Sequence, residues 1–213
     1  MTTALPALRD RVEEILADVT NAKWTTDALD EAVRQALDLY SQYLPRRTLT
    51  TVTLSGAGRE IDLAALDYLT VEAVWWDYDA ADPAHPPRWR AFELWPGDIL
   101  WINDQDKPQA GDVVRLWLTQ AHTLDGLDSG TETTFPDVHA SLIAWGAAAF
   151  AAQSRRVDII EAVNLNQWAP RNLREWADAR LADYRAALER LARQDAEGHR
   201  AGWAALGRLD RWD

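Results

Sequence analysis

Leu37-Asp38-Leu39-Tyr40-Ser41-Gln42-Tyr43-Leu44-Pro45-Arg46-Arg47-Thr48-Leu49-Thr50-Thr51-Val52-Thr53-Leu54 contains the change of pattern that decides the fold. Before Pro45, Leu29, Val33, Ala36, Leu37, Tyr40 and Leu44 recur at the three-four spacing that gathers apolar side chains on one helix face. Proline cannot continue a helix, because it lacks the N–H and its ring clashes with the preceding turn. After it, Thr50, Val52 and Leu54 alternate with polar neighbours, the period of a strand with one face buried.

Working back toward the N-terminus, Trp24-Thr25-Thr26-Asp27 opens the helix that Pro45 closes, with Thr25 placed to accept from a free backbone N–H. An earlier helix is expected from Thr3 to about Asp18, on the stripe Leu5, Leu8, Val12, Ile15, Leu16 and Val19. Working forward, Ser55-Gly56-Ala57-Gly58 predicts a turn that returns Ile61 and Leu63 against Thr50–Leu54 as a hairpin. Further strands are expected at Leu69–Tyr78, Arg88–Trp95, Ile99–Ile102 and Val113–Gln120. After Phe135-Pro136-Asp137 the helical period returns, with Val138, Leu142, Trp145, Ala149 and Ala152 on one face. Gly146-Ala147-Ala148-Ala149 offers small residues against which another helix can approach closely. A last long helix carries Leu173, Trp176, Ala177, Leu181, Tyr184, Leu188 and Leu191, and Gly198, Gly202 and Gly207 argue against regular helix after Asp195. The expected fold class is α+β, mainly α. Residues 1–47 and 135–195 form a helical bundle, 48–134 a small antiparallel β insertion, and 196–213 a partner-docking tail.

The chain has 213 residues, 47% of them hydrophobic and 26% charged, and no apolar run near the roughly 20 residues that cross a bilayer. The first residues show no basic segment leading into an apolar stretch, so no secretory signal is expected. Zero cysteines exclude disulfides, thiol nucleophiles and cysteine-ligated zinc. The net charge is −12, and it is concentrated: residues 48–137 hold 5 basic and 16 acidic side chains. Such a surface repels the phosphate backbone, which argues against sequence-specific DNA binding.

Candidate chemistry is sparse. Gly56-Ala57-Gly58 lacks the third glycine and the strand-to-helix setting of a dinucleotide loop. Asp125-Gly126-Leu127-Asp128-Ser129-Gly130 puts Leu127 at a ligand position of a calcium loop. His122, His139, Asp125 and Asp128 could hold a metal, or the histidines could be hydrogen-bonding struts. No serine stands in a nucleophile motif, so neither catalysis nor a cofactor is expected. Of the 12 tryptophans, Trp75, Trp76, Trp89, Trp95, Trp101 and Trp117 lie in the β region, where they could stack on sugars or fill core and interfaces. Asp77, Asp79 and Asp82 precede a proline-rich loop. Trp203, Leu206, Leu209 and Trp212 sit among Arg200, Arg208 and Arg211, either as separated anchors for a groove on another molecule or folded back on their own bundle.

The order of these features resembles the head-to-tail connector (adaptor) proteins of tailed bacteriophages. The residues that carry it are Trp24-Thr25-Thr26-Asp27-Ala28-Leu29, Glu60-Ile61-Asp62-Leu63, Gly111-Asp112-Val113-Val114-Arg115-Leu116, Ala121-His122-Thr123-Leu124, Thr133-Thr134-Phe135-Pro136 and Gly146-Ala147-Ala148-Ala149-Phe150-Ala151. The resemblance spans residues 3 to about 195 and departs at Ala28, where a glutamate often completes a capping box. It implies a structural, non-enzymatic virion protein at the neck, made in the host cytoplasm and forming a homo-oligomeric ring, commonly of twelve copies, beneath the portal protein. The C-terminal segment would grip the portal, a head-closure or tail protein would follow below, and DNA would pass without sequence-specific contacts or any membrane. Asp77, Asp79 and Asp82 would then face the channel or the ring's lower side. A head-closure or tail-completion role, and outside phage biology a Trp-rich carbohydrate-binding module, are the alternatives.

Overall fold

The computed structural model describes residues 3–20, 22–84, 88–161 and 168–209, and describes side chains at all of these except 156–161, 168–170 and 197–209. The chain divides into two compact units, Met1–Leu44 with His122–Asp213, and Pro45–Ala121.

The first unit is helical. Helix α1 (Leu5–Leu16) carries Pro6 in its first turn, where no intrahelical N–H is lost, and ends at Ala17 in the left-handed region (φ 51°). The connection to α2 (Thr26–Tyr43) is organised by the Asp18 carboxylate, which accepts from the N–H groups of Ala22, Lys23 and Trp24 at 3.2, 2.8 and 3.0 Å. Burial alone would raise the Asp18 carboxyl, but these donors outweigh it and hold it below the usual carboxylate range. Thr25 caps α2 by accepting from Ala28 N–H at 3.3 Å. Leu29, Val33, Ala36, Leu37 and Tyr40 are buried, as the three-four spacing requires.

Helix α3 (Ala140–Glu161) packs against α1, α2 and α4 (Trp168–Leu209). Neighbours on several sides explain why its buried positions are the small Ala140, Ala144, Ala147, Ala148 and Ala151 together with Ile143. The expected core stripe holds in part: Ala149 and Ala152 are fully buried and Leu142 packs against the core, but Val138 is 82% exposed and Trp145 43% exposed. The small buried residues let α2 and α4 come close. At Gly146 the approach is tightest, since a Cβ there would lie 2.5 Å from the Tyr184 ring of α4. The end of the chain also differs from expectation, because α4 continues unbroken past Asp195 to Leu209. Ala201, Ala204, Ala205 and Leu206 are strong helix formers set against the cost of Gly202 and Gly207.

Among its described residues, the regular elements of the second unit are all strands. Strands β1 (Arg46–Thr53), β3 (Thr70–Trp76), β4 (Trp89–Arg90) and β7 (Val113–Gln120) form one antiparallel sheet in the order β1-β7-β3-β4. Strands β2 (Glu60–Asp62), β5 (Phe92–Trp95) and β6 (Ile99–Ile102) form a second, ordered β2-β6-β5. Alternate residues of both sheets, among them Ile61, Val74, Leu100, Ile102, Val114, Leu116 and Leu118, bury into one shared core.

Two expectations are corrected. Among the described residues, the chain is a mixed α/β fold of four α-helices and seven antiparallel strands in two sheets, and not a mainly-α bundle with one small sheet. Its β segment is long enough to build two sheets with a core of their own. The hairpin across Ser55–Gly58 does not form: β1 pairs with β7 in the register Arg46↔Gln120 to Thr53↔Val113, and β2 pairs with β6. The Gly-rich turn therefore passes the chain from one sheet to the other.

Candidate functional site

Asp77, Asp79 and Asp82 lie just beyond the end of β3, all exposed. Asp77 takes a left-handed backbone (φ 61°) and pairs with Arg88 at 3.4 Å, while Asp79 closes a local turn by accepting from Ala81 N–H. An exposed pair of this kind contributes little stability, so these acids are free to set surface potential.

The proposed anchors occupy the end of α4. That helix has 42 residues, about 63 Å of rise, whereas α3 has 22 residues, about 33 Å. Among described side chains, the last buried residue of α4 is Leu188. From there to Leu209 the helix runs about 30 Å further. Trp203, Leu206 and Leu209 belong to that overrun, their side chains outside the described ones, and Trp212 lies outside the described residues altogether.

The histidines do not converge with Asp125 and Asp128. The His122 ring bonds Leu44 O at 2.9 Å through Nε2 and Thr134 Oγ1 at 3.0 Å through Nδ1, so both ring nitrogens are engaged in tying loop to helix. The Tyr40 hydroxyl meets His139 Nδ1 at 2.7 Å, and both histidine rings stand edge-on to Tyr40. Burial pushes Tyr40 up to about 12 and His139 below its ordinary value, so a protonated phenol meets a neutral imidazole. Asp128 is claimed by a two-point pair with Arg34, at 2.7 and 2.6 Å, which holds its carboxyl below the ordinary range. Among the described residues no three His, Asp or Glu side chains gather as a metal site.

The tryptophans divide by face. Trp76 points into the shared core and donates its indole N–H to Asp112 at 3.0 Å. Trp75, Trp89 and Trp117 contact one another in sequence across β3, β4 and β7. Arg115 lies over Trp117 and Tyr78, which adds cation–π attraction to that cluster. On the three-stranded sheet, the register sets Glu60, Trp101 and Glu93 in one row and Asp62, Ile99 and Trp95 in the next. The Trp95 and Trp101 rings stack on each other, 4.5 Å apart and 13° from parallel. No family model and no curated protein matches this chain.

Beside Trp101 lies a cleft of about 530 Å³, lined by Val52–Leu54, the Ser55–Gly58 turn, Arg59–Asp62 and Trp101. Sequence reasoning missed it. Glu60-Ile61-Asp62 carries the one available signal, an alternation that sets two carboxylates on one face, but the cleft exists only because β1 and β2 join different sheets.

Proposed function

We propose that the protein is a head-to-tail connector subunit of a tailed bacteriophage, a structural component that forms a ring beneath the portal and lines a negatively charged path for DNA. The observation that carries this reading is the overrun of α4. Helix α4 continues to Leu209, 21 residues past Leu188, its last buried residue among the described side chains, so the helix that bears Trp203, Leu206 and Leu209 outlasts the described core. Large apolar residues on such an extension are suited to a groove on another molecule. The excess acid of residues 48–137, with Asp77, Asp79 and Asp82 exposed, supports passage of DNA without adhesion, because like charge denies phosphates a binding surface.

The test is to mix the chain with the portal protein of the phage that encodes it and image the product by electron microscopy. A density ring at the portal's exit, lost when residues 202–213 are deleted while the circular dichroism spectrum remains folded, is the expected result. Normal docking by the truncated chain would remove the anchor, and a ring whose lumen is basic would remove the charge argument.

A further inference from the structure

The cleft of the β unit lies where two sheet edges come open together. Strand β1 is the edge of the four-stranded sheet and β2 the edge of the three-stranded one, and the cleft between them is lined by Thr53 from the first and by Glu60 and Asp62 from the second. Antiparallel pairing uses the backbone groups of alternate residues, so the pairing pattern shows which groups remain. Arg59 O accepts from Ile102 N–H, and Leu63 N–H donates to Asp98 O, both toward the β6 side. The intervening Glu60 and Asp62 therefore turn their N–H and C=O groups to the free edge. On β1, Leu54 exchanges bonds with Asp112 and Gly111, which leaves Thr53 with its backbone groups turned away from β7. Unpaired strand groups beside a cleft are a template for an added strand.

The side chains specify what can be added. Glu60 and Asp62 are exposed on the same face of β2, and Trp101 stands next to Glu60 in its row. Among the described residues neither carboxylate is ion-paired, and the nearest cation in sequence, Arg59, points its guanidinium to the carbonyls of Asp104 and Gln105. Residues of an incoming strand opposite Glu60 and Asp62 lie two apart and share their face, so opposite charge there attracts and like charge repels. A second copy pairing through β2 would set carboxylate against carboxylate. The chain's own strand-borne basic residues, Arg46, Arg47, Arg90 and Arg115, already stand in paired strands.

We infer that this cleft receives an extended segment of a different protein, bearing arginines at alternate positions, which adds as a strand to the free edge of β2. Its arginines pair with Glu60 and Asp62, and their planar guanidinium groups are of a kind that also stacks on indole. Nothing in this depends on the connector role.

The test uses the full chain, labelled for NMR, and the end-blocked peptide Thr-Arg-Val-Arg-Thr-Arg. Expected are shifts confined to the amides of residues 53–62 and the Trp101 indole, with affinity falling tenfold or more in three cases. These are an Arg-to-Glu peptide, a peptide N-methylated at alternate amides, and the protein variant Glu60→Lys/Asp62→Lys, whose remaining spectrum should not change. Absence of localised shifts at millimolar peptide, or equal binding of the N-methylated peptide, overturns strand addition. Broadening of the same resonances with protein concentration alone overturns the choice of a foreign partner.

Discussion

His139 is the residue whose surroundings most directly set a measurable property. Burial lowers its pKa from the ordinary 6.5, and its Nδ1 lies 2.7 Å from the Tyr40 hydroxyl. In the unfolded chain the imidazole takes a proton as pH drops below about 6.5, whereas the folded one resists it. Stability is therefore complete above that pH and declines as pH falls toward the lower folded value. Asp18, Asp128 and Asp137, all held below the ordinary carboxylate range by donors, lose their contribution only at more acid pH, which leaves a window between about 6.5 and 5 for the histidine. Replacing His139→Asn keeps an acceptor near the Tyr40 hydroxyl and removes the titration. Urea midpoints should fall between pH 7.5 and 5 in the parent and stay level in the variant; parallel curves would dissociate the effect from His139.

Among elements, the contact of α3 with α4 is the most sharply set. Tyr184 is fully buried and its hydroxyl donates to Ala36 O at 2.8 Å, so the ring that meets Gly146 cannot swing aside without breaking a buried hydrogen bond. In an open helix Gly→Ala gains about 1 kcal/mol of propensity. Here the added methyl overpacks the interface, which costs about 1–3 kcal/mol. Gly146→Ala should therefore lower stability by about 1 kcal/mol in urea unfolding, and a stabilised variant would refute the close approach. The sequence pattern foretold a helix that tolerates a near neighbour and placed Ala149 and Ala152 in the core, but put Val138 and Trp145 there as well, which are exposed. In an alanine-rich helix, Val138, Leu142 and Trp145 dominate any reading of hydrophobicity, while the alanines that the bundle covers look neutral. For α2, with Leu and Val on one side and charge on the other, the buried stripe was legible. Strands Ile99–Ile102 and Val113–Gln120 stand where alternation and β-branching put them. Their partners were not legible, because β1 pairs with a strand about sixty residues away and a turn signal at Gly56 and Gly58 carries no information about such pairing. The aromatic-acid cleft followed from that pairing and was hidden for the same reason.

At the level of the whole molecule, the β unit enters and leaves the chain through neighbouring points. In the helical unit, His122 N–H donates to Ser41 Oγ at 2.9 Å, and its ring bonds Leu44 O, so the residues flanking the insertion lie side by side. In the β unit, the first and last strands pair from their outer ends, Arg46 opposite Gln120. Each unit thus closes on itself where the other begins, and each has its own buried cluster. Insertions of this kind constrain their host through the ends they join more than through their length, since the entropy of closing a loop grows only with the logarithm of its size. Replacing residues 45–121 with a Gly-Ser-Gly linker should leave the helical unit folded with one cooperative thermal transition, and residues 45–121 expressed alone should give the dispersed amide spectrum of a folded β protein. Gradual melting of the excised helical chain, or a collapsed amide spectrum from the isolated β chain, would mean that the two cores are not self-sufficient. In that event the charge of the insertion could not change without a cost to the helices.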